Sequence, residues 1–500
     1  MRVPPSTKNW VSLAGVTIAL ISLFMILFLF AVTLILDKEA AYLGLVVYIL
    51  LPGILIGGLL LIPLGMYLKV RRENTAGVCP MPTWPRIDLN DAIQRRAAAI
   101  FLFGTIIFLF ISAIGSYQAF EFTESVSFCG TLCHTVMEPE HVAHANSPHA
   151  RVACVACHVG PGADWYVRSK LSGLYQVYAV TMDNYPRPIP TPIENLRPAR
   201  QVCEQCHWPQ KFYAQQYVVR THYLQDDQNT RWDIGLALKI GPAQQARGYT
   251  SGIHWHVNPN VKIEYFPADE KREELPWVRY TDLKTGKVKI FRDEESDKLP
   301  KDVKQSELRT MDCLDCHNRP SHRYRSPNEF LNMAMAAGEL PTDLPELKAT
   351  ATELCATEYK TSKEAADGIR QGLVDLYEKK YPDIWKKRQG EVEEAIKVVQ
   401  EEFAKNIFPA MKARWSVYPD HIGHLESNGC FRCHNGRHRT EAGETISKDC
   451  NLCHSIVKQG EPASMQVAPI TESLEFKHPE DIGGAWKDMA CAECHEEATL

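Results

Sequence analysis

Seven times the chain sets a histidine directly behind a close pair of cysteines. The runs are CGTLCH (129–134), CVACH (154–158), CEQCH (203–207), CLDCH (313–317), CFRCH (430–434), CNLCH (450–454) and CAECH (491–495). They use all but two of the 16 cysteines, leaving Cys79 and Cys355. Six of the runs are C-x-x-C-H, the attachment signature of c-type haem, in which two thioethers hold the porphyrin and the adjacent histidine lies under the iron. Random placement at this composition gives about 0.02 such runs per chain, so the repetition is not chance. Zinc would combine two cysteine pairs in one tetrahedron and needs no following histidine. An iron–sulfur cluster needs four thiolates, and a disulfide framework would not keep this spacing. Seven covalent haems are therefore expected. Their cysteines are Cys129 and Cys133, Cys154 and Cys157, Cys203 and Cys206, Cys313 and Cys316, Cys430 and Cys433, Cys450 and Cys453, and Cys491 and Cys494. The motif histidines His134, His158, His207, His317, His434, His454 and His495 are the expected proximal ligands.

A chain of 500 residues implies several domains, and a net charge of −5 gives no sign of nucleic-acid binding. The apolar residues concentrate in Trp10–Leu36, Ala41–Leu68 and Ala97–Tyr117. Each run exceeds the roughly 20 helical residues that cross a hydrocarbon core, so three transmembrane helices are expected. The first run is too long for a cleaved signal, and no small-residue cleavage site precedes Asp37. Arg2 and Lys8 precede the first span, and Lys69, Arg71, Arg72, Arg86, Arg95 and Arg96 lie between the second and third. The positive-inside rule then puts the N-terminus in the cytoplasm and everything after about residue 118 on the periplasmic side of the inner membrane. Cys79 falls in the cytoplasmic loop. Pro52, Gly53, Gly57, Gly58, Pro63 and Gly65 in the second span suit close helix packing.

The expected fold is mostly α and irregular. Residues 1–120 form the membrane domain and 121–225 a three-haem segment. Residues 226–312 form a small β-rich insert, read from GIHWHV, VKIEYF, WVRYTD and KVKIF, the last two flanking a turn at LKTG. Residues 313–420 hold the fourth motif and a helical insert with apolar spacing of three and four, in which Cys355 is expected as a small buried residue. Residues 421–500 hold the last three motifs. Eighteen histidines leave eleven beyond the motifs, enough for six or seven distal ligands. His149, His424 and His478 each shortly precede a motif, and His222 and His322 follow one. His254 and His256 would share one face of a strand. Two histidines per iron close both axial positions, which suits electron transfer.

The first motif carries three residues between its cysteines and follows the third span within about a dozen residues, with Met137 close behind. Around it the chain resembles the NapC/NirT/NrfH family of membrane-anchored multihaem quinol dehydrogenases, over residues about 98–225: a membrane helix, CGTLCHTVMEPE, SPHARVACVACHVGPG and a third motif. The resemblance implies a membrane-proximal haem that meets quinol, with Met137 as candidate ligand in place of His134. The family spacing is C-x-x-C-H-x-M, and here each interval is one residue longer. It also implies a lysine and acids at the quinol oxygens, matched by Lys170 and by Glu138, Glu140, Asp164 and Asp183. The layout with three spans and seven motifs is similar to the larger ImcH type of metal-reducing bacteria. That implies menaquinol drawn from the membrane pool, a quinol:cytochrome c oxidoreductase activity, and delivery to periplasmic c-type cytochromes in anaerobic or extracellular respiration. A relay subunit without its own quinone site, and a terminal reductase with an open haem, are the alternatives.

Overall fold

The computed structural model describes residues 7–36, 50–75, 88–132, 134–193, 196–242 and 251–495, with side chains omitted at 30–36, 74, 75, 134 and 163. Cys79, Cys133, Arg86, the His134 side chain and the start of the second apolar run fall outside the described residues. The chain divides into two units, Met1–His134 and Thr135–Leu500.

The first unit carries three helices long and apolar enough to cross a membrane: α1 (Trp10–Leu36), α2 (Leu51–Thr75) and α3 (Ala92–Glu124). α1 and α2 pack closely through small residues. A Cβ on Gly15 would meet Gly58 O at 2.7 Å, one on Gly58 would meet Ala19 N at 2.9 Å, and one on Gly65 would meet Ser12 Oγ at 2.5 Å. Ser12 Oγ also donates to Ile62 O at 2.9 Å, a polar tie between helices of the kind favoured in lipid. Gly58 and Gly65 therefore serve the helix contact, whereas Gly53 and Gly57 face open space. α3 outruns its apolar stretch at both ends, because caps set its limits. Asp91 accepts from Ile93 N at 2.9 Å, and Ser125 ends the helix while its Oγ accepts from Phe128 N at 3.0 Å to start a short helix, Val126–Thr131. At 33 residues, α3 spans about 50 Å.

The second unit holds two antiparallel sheets. One runs β1 (Gln215–Tyr223), β2 (Arg231–Lys239), β8 (His454–Gly460), β9 (Gln466–Val467). The other runs β6 (Arg309–Thr310), β3 (Val261–Phe266), β4 (Trp277–Asp282), β5 (Val288–Asp293), β7 (His438–Arg439). β4 and β5 form the hairpin around LKTG. Asp282 accepts from Lys284 N and Thr285 N, and Gly286 takes φ +71. β8, which starts at the sixth motif histidine, pairs with β2, and β7, just beyond the fifth motif, pairs with β5. The sheets thus fix motif segments far apart in sequence.

GIHWHV corrects the sequence reading. Residues Ile253–Val257 form a 3-10 turn, not a strand. Gly252 at φ +76 enters it against Lys239 O and Gly241, where a side chain would clash. Pro259, which lacks an N–H, follows it. The next section gives the consequence for His254 and His256.

Helices Pro327–Ala337, Leu347–Ala356, Ser362–Asp375 and Pro382–Asn406 bury Phe330, Leu344, Ile369, Leu373, Ile396 and Phe403 in one core. Cys355 lies inside it, fully buried. So does Lys348, whose Nζ donates to Asn328 O at 2.7 Å. Burial lowers its ammonium from 10.5 to about 7. The folded state then binds this proton less tightly than the unfolded chain, so stability rises as pH climbs from about 7 towards 10.5. Heat denaturation of the wild type should show that rise, and Lys348→Met should flatten it. An unchanged slope would refute this assignment.

Candidate haem-binding site

A C-x-x-C-H run suits one helical turn, because residues i, i+3 and i+4 share a face. The second motif is itself the helix Cys154–His158, and four more form this turn with the same closing bond. His207 N donates to Cys203 O at 2.8 Å, His317 N to Cys313 O at 2.8 Å, His434 N to Cys430 O at 3.0 Å and His495 N to Cys491 O at 3.0 Å. The fifth motif needs glycine before it: Gly429, at φ +44, sits directly on Gly423 O, which accepts from Cys430 N. Burial pushes the Cys316 thiol up to about 12 and those of Cys433 and Cys453 to about 11. Among the described residues no three His, Cys, Asp or Glu converge as a metal cage does.

The histidines instead meet in pairs. Ring centroids lie 6.1 Å apart for His158 and His322, 5.9 Å for His207 and His149, and 6.4 Å for His317 and His254. The separations are 5.8 Å for His434 and His256, 6.2 Å for His454 and His424, and 6.3 Å for His495 and His478. Two imidazoles bound to one ion, each through a metal–nitrogen bond of about 2 Å, stand about 6 Å apart. Every motif histidine from the second motif onward therefore faces another histidine at the separation that one iron would bridge. The residues fit the haem.

The hydrogen bonds agree. Nδ1 of His149 lies 3.1 Å from Pro320 O, that of His254 2.9 Å from Ile240 O, and that of His256 2.8 Å from Ile253 O. Nδ1 of His322 lies 3.1 Å from Glu140 O, and that of His478 2.9 Å from Glu480 O. A carbonyl only accepts, so at His149, His254, His256 and His322 Nδ1 carries the proton and Nε2 keeps the lone pair a metal needs, whereas Nδ1 of His478 also faces Glu480 N at 3.3 Å. His424 stacks on Phe431 at 4.3 Å, and its Nδ1 is buried without a partner, as is Nδ1 of His454. Burial lowers the pKa of His158, His256, His317 and His424, and takes His454 to about 4. These rings stay neutral, the form that binds metal.

His254 and His256 do not share a face. In a 3-10 turn, residues two apart point about 120° apart. One ring faces His317 and the other His434. His222 is half-buried on β1, with Asn332 Nδ2 3.4 Å from its Nδ1, and desolvation takes its pKa to about 4. It also lies within electrostatic reach of His495. Two histidines that the sequence did not single out are buried here. His144 Nε2 donates to Val152 O at 2.9 Å, its ring 6.3 Å from His322. His421 places Nδ1 3.3 Å from Asp315 O and leaves Nε2 buried without a partner.

From the second onward, the motifs lie beside one another in chain order. The helix Cys154–His158 packs on Ala199–Cys203, which packs on the turn Cys313–Asp315, and the Cys203 and Cys313 sulfurs are within hydrogen-bonding reach. Arg432, inside the fifth motif, donates to Asp315 O, inside the fourth, at 2.6 Å. His424 bridges Phe431 of the fifth motif and His454 of the sixth. Lys448, just before the sixth, donates to Lys487 O, just before the seventh, at 3.1 Å.

The candidate quinol residues are placed as follows. Lys170 and Asp164 lie on the helix Ala163–Thr181, with Lys170 Nζ 4.7 Å from the Tyr166 ring centre. Asp183 pairs with Arg187 at 2.6 Å. Glu138 is exposed and Met137 half-buried on the helix His134–Ala145. Glu140 is engaged elsewhere. It accepts from Tyr324 Oη at 3.0 Å, and its Oε2 lies 3.0 Å from His322 Nδ1. Burial would raise its pKa, but the His322 hydrogen bond and Arg319 outweigh that and hold it at about 2. Glu140 thus orients His322.

Three membrane-length helices and a second unit of paired histidines and cysteine turns define a membrane-anchored cytochrome c, and the chain belongs to the NapC/NirT cytochrome c family. The model of that family's N-terminal region matches residues 92–188. Over 491 residues the chain is 43% identical to the cytochrome c-type protein ImcH of Geobacter sulfurreducens, covering 98% of this chain and 95% of the relative. No solved structure matches. Family membership makes covalent c-type haem and redox electron transfer properties of this chain.

Proposed function

We propose that the protein is an inner-membrane quinol dehydrogenase that passes electrons from menaquinol through seven c-type haems to periplasmic cytochromes. The observation that carries this reading is the position of the first motif, whose Cys129 lies in the short helix that starts where α3 ends. The seven cysteine pairs named above would hold the seven haems, each supplying a one-electron carrier when bound. His158, His207, His317, His434, His454 and His495 would be the proximal ligands. His322, His149, His254, His256, His424 and His478 would complete them in that order. Each of those six irons would be held by two histidines, which counts against a terminal reductase acting there. At 129–134 the added residue takes His134 off the shared face of a single turn, which supports Met137 as its replacement. Lys170 would bind a quinol oxygen. Glu138, Asp164 and Asp183 would accept the two protons released as menaquinol gives up two electrons. The basic residues Lys69, Arg71, Arg72, Arg95 and Arg96 support a cytoplasmic N-terminus and a periplasmic second unit.

The purified full-length protein in detergent should be reduced by menadiol to the extent that dithionite reduces it. Full reduction by dithionite with none by menadiol would overturn the dehydrogenase in favour of a relay subunit.

A further inference from the structure

The helix Ala163–Thr181 leaves an apolar stripe uncovered. Val167, Leu171, Leu174, Tyr175, Tyr178 and, just beyond the helix, Met182 are all exposed, Leu171 at 62% and Leu174 at 68%. At 100° per residue these six fall within about 100° of arc, the width of a stripe that normally faces a core. Arg168 flanks the stripe on one side and Lys170 on the other, Ser172 lies beyond Arg168, and Gln176 lies on the far face. The helix meets the rest of its unit at its two ends, through Arg197 over the Trp165 ring and through buried Ala179. An exposed patch of this extent marks an interaction site.

We propose that this helix lies in the plane of the membrane surface, with the stripe in the acyl boundary and Arg168 and Lys170 reaching anionic headgroups. Three features favour a bilayer over a second copy of the chain. The stripe carries tyrosines, residues enriched at the membrane interface. Long cationic side chains border it on both sides, where they can extend to the headgroup level while their stems stay apolar. And the chain is already held to a membrane by α1–α3, so a helix that begins at Ala163 needs little extra affinity to partition. Resting on the dehydrogenase reading, the placement also gives Lys170 its setting, at the depth where a lipid-borne quinol presents its head.

Photo-crosslinking tests the placement directly. p-Benzoylphenylalanine replaces Leu171, Tyr178 or, as the control, Gln176 in full-length holoprotein in phosphatidylglycerol–phosphatidylcholine nanodiscs. Lipid adducts detected by mass at the first two positions and absent at Gln176 are expected. Crosslinked dimers, protein-only crosslinks, or equal lipid adducts at all three positions would overturn it. In a second arm, Leu171→Glu with Leu174→Glu should slow reduction by vesicle-borne menaquinol by roughly tenfold or more and leave reduction by soluble menadiol unchanged. Equal rates with vesicle-borne menaquinol would refute the link to quinol access. Failure of both quinols on the wild type would instead strike the dehydrogenase reading and leave the lipid adducts to decide the placement.

Discussion

Alanine in place of His254 is expected to turn one haem from low-spin to high-spin and to leave the spin states of the others unchanged. The ring is fixed on every side. Phe212 stacks on it at 4.5 Å, Ile240 O takes the Nδ1 proton at 2.9 Å, and His317 faces it at 6.4 Å. No other described histidine lies opposite His317 at that spacing, so the lost ligand has no ready substitute. Electron paramagnetic resonance and the high-spin absorption band read the change. Because the fourth motif sits midway along the row, passage from quinol to a soluble acceptor should fall sharply while the quinol-side haems still reduce. His254→Met should keep six-coordination and raise the potential of that one haem. A spectrum unchanged by His254→Ala would remove His254 as a ligand.

The second large effect is expected at Asp315, inside the fourth motif. Its carboxylate is 1% exposed and accepts from Tyr265 Oη at 2.6 Å, Arg309 Nε at 2.6 Å, Arg272 Nη1 at 3.1 Å and Asp312 N at 2.6 Å. Its backbone carbonyl takes the bond from Arg432. Asp315→Ala leaves two guanidinium groups and a tyrosine hydroxyl facing a hole. Removing one partner of a buried ion pair costs about 3–5 kcal/mol, and partial exposure of Arg272 and Arg309 reduces this to about 2–3 kcal/mol. Asp315→Asn keeps the shape and should cost less. The measure is the thermal midpoint of the holoprotein with its haem-to-protein ratio. A midpoint within a degree of wild type would show that the cluster does not stabilise the fold. Arg432 adds a functional side to the same contact, since its guanidinium also donates to Gly429 O and Arg272 O and so sets the spacing of the fourth and fifth motifs.

Attachment motifs are legible because their chemistry needs contiguous residues. Two sulfurs and an imidazole on one helical face leave a fixed spacing in sequence. The membrane spans are legible because lipid demands about 20 apolar residues in a row, although the ends of α3 follow Asp91 and Ser125 rather than the apolar limits. The partner of each motif histidine is not legible, because it arrives through tertiary contacts. His149 precedes the second motif yet faces the third, and His424 precedes the fifth yet faces the sixth. His322, just past the fourth, faces the second. The alternating look of GIHWHV suggested a strand with both rings on one face. The 3-10 turn between Gly252 and Pro259 splits them between two motifs. His421 carries no local signal, since its surroundings come from the fourth motif segment.

The sequence by itself therefore determined the class of protein: a chain with three membrane-length spans and seven cysteine-pair motifs, each a local requirement of lipid or porphyrin chemistry. Tertiary structure alone decided which histidine stands across from which and set the second to seventh motifs side by side in chain order. Those relations depend on β8 pairing with β2, Arg432 reaching Asp315 and one 3-10 turn aiming two rings apart. Contacts between residues far apart in the chain leave no period or spacing to read.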